Sequence, residues 1–485
     1  MLMTKTRRLF WLVLCISGLT IIVHGRSALA RTAATLRAGA ATSNITPRLG
    51  ISINGLMHDR TAAHIHDELH ARCLVLEAGG NRIAIVVCDS CMIPREVYDA
   101  AKEIVRQKAQ LPVDKMLMCA THTHSAPTAS GIFQSDPDPQ YQRFLTHKIA
   151  DAVLCAINNL SDARVGWGIG RLPQHVFNRR WKMKGGAIGP DPFGGTTDQV
   201  LMNPPVGSPD LIEPAGPTDP DVLVLSVQHR DGRPLALVAN YALHYVGGTG
   251  SEHISADYFG VFADVIQQRL GGGPQDPPFV VMLSNGCSAD INNINFRGLR
   301  EHRQPYEQMR LVATDLAEEV HRVYESIRYS QEVELDIRQT TLKLGVRLPS
   351  KADIARAEDI LAAAKGPVLK TRPEIYARET VLLSKYPQQV DVILQTLQIN
   401  DLGIVAIPCE VFVEIGMELK SRTPFRSTFV FQLANGYNGY LPTVKHHKLG
   451  GYETWRARSS YLEVEAAPKI TKTVLQMLGE IHGQR

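Results

Sequence analysis

The sequence predicts an α/β chain, a β-sheet core with flanking helices. Two observations carry this. Short β-branched runs alternate with segments of helical period, and 44% of the 485 residues are hydrophobic against 21% charged, an ordinary globular composition.

Taken in order, the chain opens on Lys5, Arg7 and Arg8, then an apolar run at 9–23, then the small-residue site Ala28-Leu29-Ala30. That order is a secretory signal peptide, and its apolar part falls short of the roughly 20 residues a membrane-spanning helix needs. We therefore expect residues 1–30 to be a leader and the protein to be exported, periplasmic or secreted. The leader holds four cations, Lys5, Arg7, Arg8 and Arg26, and no acid, so 52 basic residues fall to 48 against 48 acidic ones. A neutral chain lacks the clustered Lys and Arg that phosphate neutralisation requires, which argues against nucleic acid as a partner.

The first α/β cycle follows. Residues 82–87 (Arg-Ile-Ala-Ile-Val-Val) form a buried strand and 97–109 the next helix; 115–120 (Lys-Met-Leu-Met-Cys-Ala) form a strand and 141–160 a helix. Residues 183–220 hold seven Gly and eight Pro, too many for the interior of any regular element, and are expected to be a long loop. Such a loop is a lid, a site wall or an ordinary surface excursion. Further strands are expected at 222–227, 235–241, 279–283 and 402–407. The helix at 305–327 shows Val312, Leu316, Val320, Val323 and Ile327 at spacings of four and three, one apolar face. Seven cysteines remain after the leader, an odd number that leaves at least one free. Cys88 and Cys91 form a CxxC, which reads as core packing, a local disulfide or half a zinc knuckle, with no second CxxC to complete the last.

The sharpest chemical feature is Ala120-Thr121-His122-Thr123-His124-Ser125, directly after a strand. In extended backbone, residues two apart face the same side, so His122 and His124 can converge on one point, as metal ligands must. His244 ends another strand, before Gly247-Gly248, and Glu410 follows a third in Ile407-Pro408-Cys409-Glu410. Each has a plainer reading: a wet strand edge for the HxH pair, a core histidine for His244, an acid at a helix N-terminus for Glu410. Their recurrence at the ends of apolar strands is what favours a shared site, since ligands of open α/β sheets gather there.

Together these motifs resemble the neutral ceramidase family of zinc amidases. The resemblance rests on Thr-His-Thr-His-Ser, the strand ending in His244, Asn285 followed by Ala289-Asp290-Ile291-Asn292, the Pro408-x-Glu410 step, and Asn435-Gly-Tyr-Asn-Gly-Tyr440. Asn44-Ile45-Thr46-Pro47 and the segment 65–72 add to it, and it runs from about residue 37 to 464. The resemblance implies a mixed β-sheet core with the metal site at strand ends, in one catalytic domain over 31–485. It implies Zn2+ held by His122, His244, Glu410 and Tyr440, with His124 carrying a proton and Tyr452 and Arg171 assisting the reacting carbonyl; His66 aligns with a further site histidine. Two departures stand out. Asn292 occupies the family's serine position, with Ser288 four residues out of register, and with the sequence ending at Arg485 the family's C-terminal β-sandwich is expected to be absent.

The expected function is therefore an exported zinc-dependent hydrolase of an N-acyl amide bond, with water activated by zinc as nucleophile, placing the chain in lipid and sphingolipid metabolism. The substrate would be a small-molecule or lipid amide, the latter bringing the protein into peripheral contact with a membrane. Alternatives are an ester or lactone hydrolase on the same zinc site, and a non-catalytic exported binding protein on the same scaffold. A barrel-type metal hydrolase also opens its site with a strand-end HxH, but the strand spacing here lacks eight regular repeats.

Overall fold

The computed structural model describes residues 33–271, 273, 275–299 and 303–483, so the leader expected at 1–30 lies outside the described residues. Eight strands form one mixed sheet: β1 (Arg37–Asn44), β2 (His70–Ala78), β3 (Asn81–Cys88), β4 (Met116–Ala120), β5 (Ser161–Arg171), β6 (Asp221–His229), β7 (Pro234–Tyr241) and β8 (Val280–Asn285). Their spatial order is β8-β7-β6-β5-β1-β2-β3-β4. Only β3–β4 and β7–β8 are parallel. A parallel pair needs a crossover, and helices α1 (Arg95–Ala109) and α3 (Asp257–Leu270) supply them. The expected alternation of strand and helix is thus present, with boundaries shifted by one or two residues. Asp138 caps the N-terminus of α2 (Pro139–Asn158) by accepting from the Gln140 amide, and Pro139 at the first position needs no partner for its nitrogen. The helix expected from 305 is α4 (Glu307–Ser326), and its buried face is the predicted one.

A second sheet, in the order β9-β10-β11-β12, comprises β9 (Leu335–Gly345), β10 (Gln389–Ile399), β11 (Leu402–Ala406) and β12 (Ser427–Phe431). Between β9 and β10 stand α5 (Lys351–Ala362) and α6 (Arg372–Leu383); α7 (Val413–Arg422), α8 (Val444–Leu449) and α9 (Ala466–His482) complete the chain. Ile85, Leu117, Leu225 and Val238 of the large sheet share one core with Ile337, Leu397, Ile404 and Phe429 of the small one. Helices cover the outer faces: α1 and α2 over β1–β4, α3 and α4 over β6–β8, and α7 and α9 over the small sheet. β3 is buried along most of its length because it has a sheet on one side and helices on the other, which is why it reads as a continuous apolar run.

The large sheet curls until β8 lies beside β4, although the two are its opposite edges. Asn285 at the end of β8 donates its side-chain amide to Thr121 O just past β4, 3.1 Å away, and so closes the edges at one end. The end of the small sheet joins there: Ala120 donates its amide to Leu433 O, and Gln432 donates its own to Asn285 O. The segments after β4, β7, β11 and β12 therefore converge at one place.

Residues 183–220 differ from the expected loop. Val200–Met202 and Leu211–Pro214 pair with either side of Arg180–Met183 to make a three-stranded sheet. The strands are too short to need a Gly-free interior, and Pro214 sits on an outer strand, where its missing N–H costs nothing. Cys88 and Cys91 are buried free thiols, not a disulfide; Cys88 packs in the core under α1 and α2, while Cys91 Sγ lies 3.8 Å from His122 Nδ1. Among the described residues no helix is long and apolar enough to cross a membrane.

Candidate metal centre

His122 lies two residues beyond β4 with φ at 74°, a left-handed conformation that costs a non-glycine residue on the order of 1–3 kcal/mol. Surrounding contacts hold it there: its amide donates to Ser90 O at 2.8 Å, and the preceding Thr121 amide to Cys88 O at 2.9 Å. His122 and His124 do converge, with Nε2 atoms 3.3 Å apart, but through this kink rather than by the alternation of an extended strand. The left-handed turn swings the rings edge to face, 89° between their planes.

His122 Nδ1 is 2.7 Å from Cys91 O, and His244 Nδ1 is 2.9 Å from Ser288 O. A carbonyl only accepts, so each ring donates from Nδ1 and turns Nε2 inward. The two Nε2 atoms then face each other at 3.1 Å. Glu410 Oε2 lies 3.2 Å from His122 Nε2 and has no hydrogen-bond partner although it is buried. The three ligand atoms fall within 4.8 Å of one another, and all three residues are buried. Two imidazole nitrogens and a bare carboxylate oxygen, each ring fixed from behind by a carbonyl, are a donor set that fits a divalent cation such as zinc.

The charges fit as well. Burial is the largest single influence and lowers the His122 imidazole, but Glu410 and Cys91 together outweigh it and push the group up to about 10, so a positive charge belongs at this point. His244 is held well below its ordinary value by burial, then by Arg179 and His122. His124 is lowered likewise, by burial, His122, Arg179 and Arg60, and its ring stacks on Tyr245 at 3.7 Å. Both are neutral near pH 7.

Glu410 and Tyr440 are in-register partners of a two-residue parallel ladder, which puts their side chains on the same side. The plainer reading of Glu410 as a helix-start acid is set aside: α7 begins three residues later. Tyr440 reaches the cluster through Arg179, whose Nη2 donates to the phenol at 3.2 Å while Nη1 stands 3.3 Å from His244 Nε2. The Tyr452 ring lies 5.8 Å from that of Tyr440. Phe193, from the stretch expected to be loop, thus packs in the same apolar cluster as Tyr452, Trp455 and Tyr376.

The structure does not bring Arg171 into this group. Its side chain is exposed at the end of β5, with Asp221 3.9 Å away as its charge partner. The buried arginine of the site is Arg179. The one hint of it in the sequence is that Asn178-Arg179-Arg180 lies between the aromatic residues Phe177 and Trp181. His66 stacks on Tyr306 at 3.7 Å, outside the cluster. Asn292 donates to Asn203 Oδ1 at 2.6 Å, and the Ser288 hydroxyl is tied to Asn285 Oδ1 at 2.7 Å, so neither is free in the site. Sequence reasoning also missed Tyr437, whose hydroxyl donates to Glu410 Oε1 at 3.0 Å, and Glu453, which receives Arg179 Nε at 3.1 Å.

No family model matches the sequence. Neutral ceramidase B of Dictyostelium discoideum is 25% identical over 258 residues, 49% of this chain and 32% of that protein. The neutral ceramidase of Pseudomonas aeruginosa is 23% identical over 459 residues, 81% of this chain and 64% of that one. The chain spans about a third of the Dictyostelium relative and less than two thirds of the Pseudomonas one. Among solved structures, neutral ceramidase from Pseudomonas aeruginosa shares the fold with a TM-score of 0.68 at 17% identity, over 93% of this chain and 75% of that chain. A ceramidase complexed with C2 gives the same TM-score at 16% identity, over 93% and 76%. The resemblance to the neutral ceramidases that the motifs carry therefore extends, in fold, over 93% of this chain.

Proposed function

We propose that the protein is an exported, zinc-dependent hydrolase of the N-acyl amide bond of a ceramide-class lipid, and that residues 31–485 act as one catalytic unit. The observation that carries this is the pair of Nε2 atoms facing each other at 3.1 Å beside an unpartnered Glu410 oxygen, in a chain that resembles ceramidases. The leader pattern supports export. Zinc at His122, His244, Glu410 and Tyr440 would supply Lewis acidity, polarising the scissile carbonyl and lowering the pKa of water toward about 7.

The rest falls to the chain. Arg179, fixed between Tyr440 and Glu453, presents a permanent cation to the oxygen that gains charge as water adds to the carbonyl. Tyr452 keeps its phenolic proton, since burial first and Glu410 next raise it, and so can donate to the same oxygen. Such a donor contributes about 2.7–4 kcal/mol when aimed at the transition state. His124, neutral, accepts a proton at Nε2 from the attacking water and returns it to the amide nitrogen as the C–N bond breaks, leaving a fatty acid and an amine. The aromatic wall of Phe193, Trp455 and Tyr376 is apolar, as a lipid substrate requires.

Protein recovered from outside the cytoplasm should begin at Arg31, contain about one zinc per chain and hydrolyse N-acyl sphingosines in a chelator-sensitive way. His122→Ala should lose both the metal and the turnover. A variant that keeps both ends the proposal.

A further inference from the structure

Behind the site lies a buried ionic group of three. Glu453 is wholly buried and receives Nε of Arg179 at 3.1 Å and Nη1 of Arg180. Arg180 is itself wholly buried, and its Nη2 donates to Gly450 O at 2.6 Å. Burial alone would raise the Glu453 carboxyl, but the guanidiniums of Arg180 and Arg179 hold it below its ordinary value. It is therefore a carboxylate, and one negative charge faces two positive ones.

The two arginines are not equivalent. Arg180 ends on the backbone of the turn before Tyr452 and lies over the Phe412 ring at 5.3 Å, away from the cluster. Arg179 is anchored at Nε alone and extends both terminal nitrogens forward, Nη1 to His244 and Nη2 to Tyr440. The Arg179 guanidinium is planar, so fixing Nε in a hydrogen bond fixes the plane and hence the direction of the other two nitrogens. Besides Glu453, the carboxylate whose charge acts on Arg179 is Glu410, the group that faces His122. Glu453 also follows Tyr452 directly in the chain, so the same contact sets the phenol relative to the arginine.

We propose that Glu453 is a positioning residue: its carboxylate aims the Arg179 guanidinium at His244 and Tyr440 and keeps it off Glu410. This rests on the proposed hydrolase reading for its kinetic consequence but not for its geometric one. The test uses Glu453→Gln, which keeps the shape and removes the charge, with Glu453→Asp as a milder variant should the first fail to fold.

Crystal structures of the variant and parent proteins provide a readout independent of turnover. The Arg179 guanidinium should leave His244 and Tyr440 in Glu453→Gln; a guanidinium within about 0.5 Å of its original place overturns the proposal. In zinc-saturated protein, kcat on an N-acyl amide should fall by about two orders of magnitude, the size of a lost oxyanion donor, with KM unchanged. In an Arg179→Ala background the same Glu453 change should have no further effect on kcat, and Glu453→Asp should recover part of the loss. Equal losses in both backgrounds would mark Glu453 as merely structural and sink the idea. Parent protein that turns over no amide, while Arg179 still moves in the variant, would count against the hydrolase reading alone.

Discussion

Tyr437 shows how single residues set the centre. Its hydroxyl donates to Glu410 Oε1 at 3.0 Å, which leaves Oε2 as the oxygen turned toward His122. Partners of this kind hold a ligating carboxylate in one rotamer, and their removal costs about 10–100-fold in metal affinity. Tyr437→Phe should weaken zinc by that factor in a competition titration while leaving the fold intact; an unchanged affinity would mean the carboxylate needs no such guide. His122, His244 and Glu410 were legible because each follows an apolar strand and is of a ligand type, whereas Tyr440 came only from the resemblance. Arg179 was not, because arginine reads as surface by default and only its apolar neighbours Phe177 and Trp181 hint otherwise. Nor could sequence show that His122 reaches His124 through a left-handed kink, since His122 is neither Gly nor Asn and nothing local favours that φ.

At the level of elements, the strands read from the sequence were continuous apolar runs, such as β3 and β4, where burial leaves no polar position. β1 escaped because Arg37-Ala-Gly-Ala-Ala-Thr-Ser-Asn44 carries little bulk, and small residues score poorly as strand formers. The structure gives the reason for the small residues. A Cβ at Gly39 would lie 2.1 Å from Ala156 O and 2.8 Å from Leu160 N, so β1 sits directly against the end of α2. Gly39→Ala must push the helix off the sheet. We expect a loss of about 1–3 kcal/mol or more, read as a lowered thermal midpoint, because the obstructing atoms are backbone and cannot rotate away. A variant as stable as the parent would show that α2 slides freely. Helices α5 and α6 also went unread, although Ser350 with Asp353, and Thr371 with Glu374, are complete capping boxes.

Across the whole molecule, the large sheet, the small sheet and the helix layer are stitched by one buried polar network. Lys102 on α1 donates from Nζ to Asn435 Oδ1 at 2.8 Å; Asn435 donates to Gln395 Oε1 at 2.7 Å, and Gln395 on β10 reaches back to Met116 O on β4 at 3.3 Å. A charged amine so placed is expensive, and burial lowers it from its ordinary 10.5 to about 8. Below about 8 both the folded and unfolded chains carry the proton, and the folded chain bears the full cost of burying it. Between about 8 and 10.5 the unfolded chain still binds the proton while the folded one has released it, so stability rises with pH through that window. The recoverable amount is on the order of 3 kcal/mol. Lys102→Met removes this dependence and leaves Asn435 Oδ1 accepting from the Met118 amide. Urea midpoints of parent and variant, measured from pH 7 to pH 10, should therefore converge or cross as pH rises, the parent gaining on the variant. Parallel curves would show that the amine keeps its proton, and that the network joining the two sheets is built around a permanent cation.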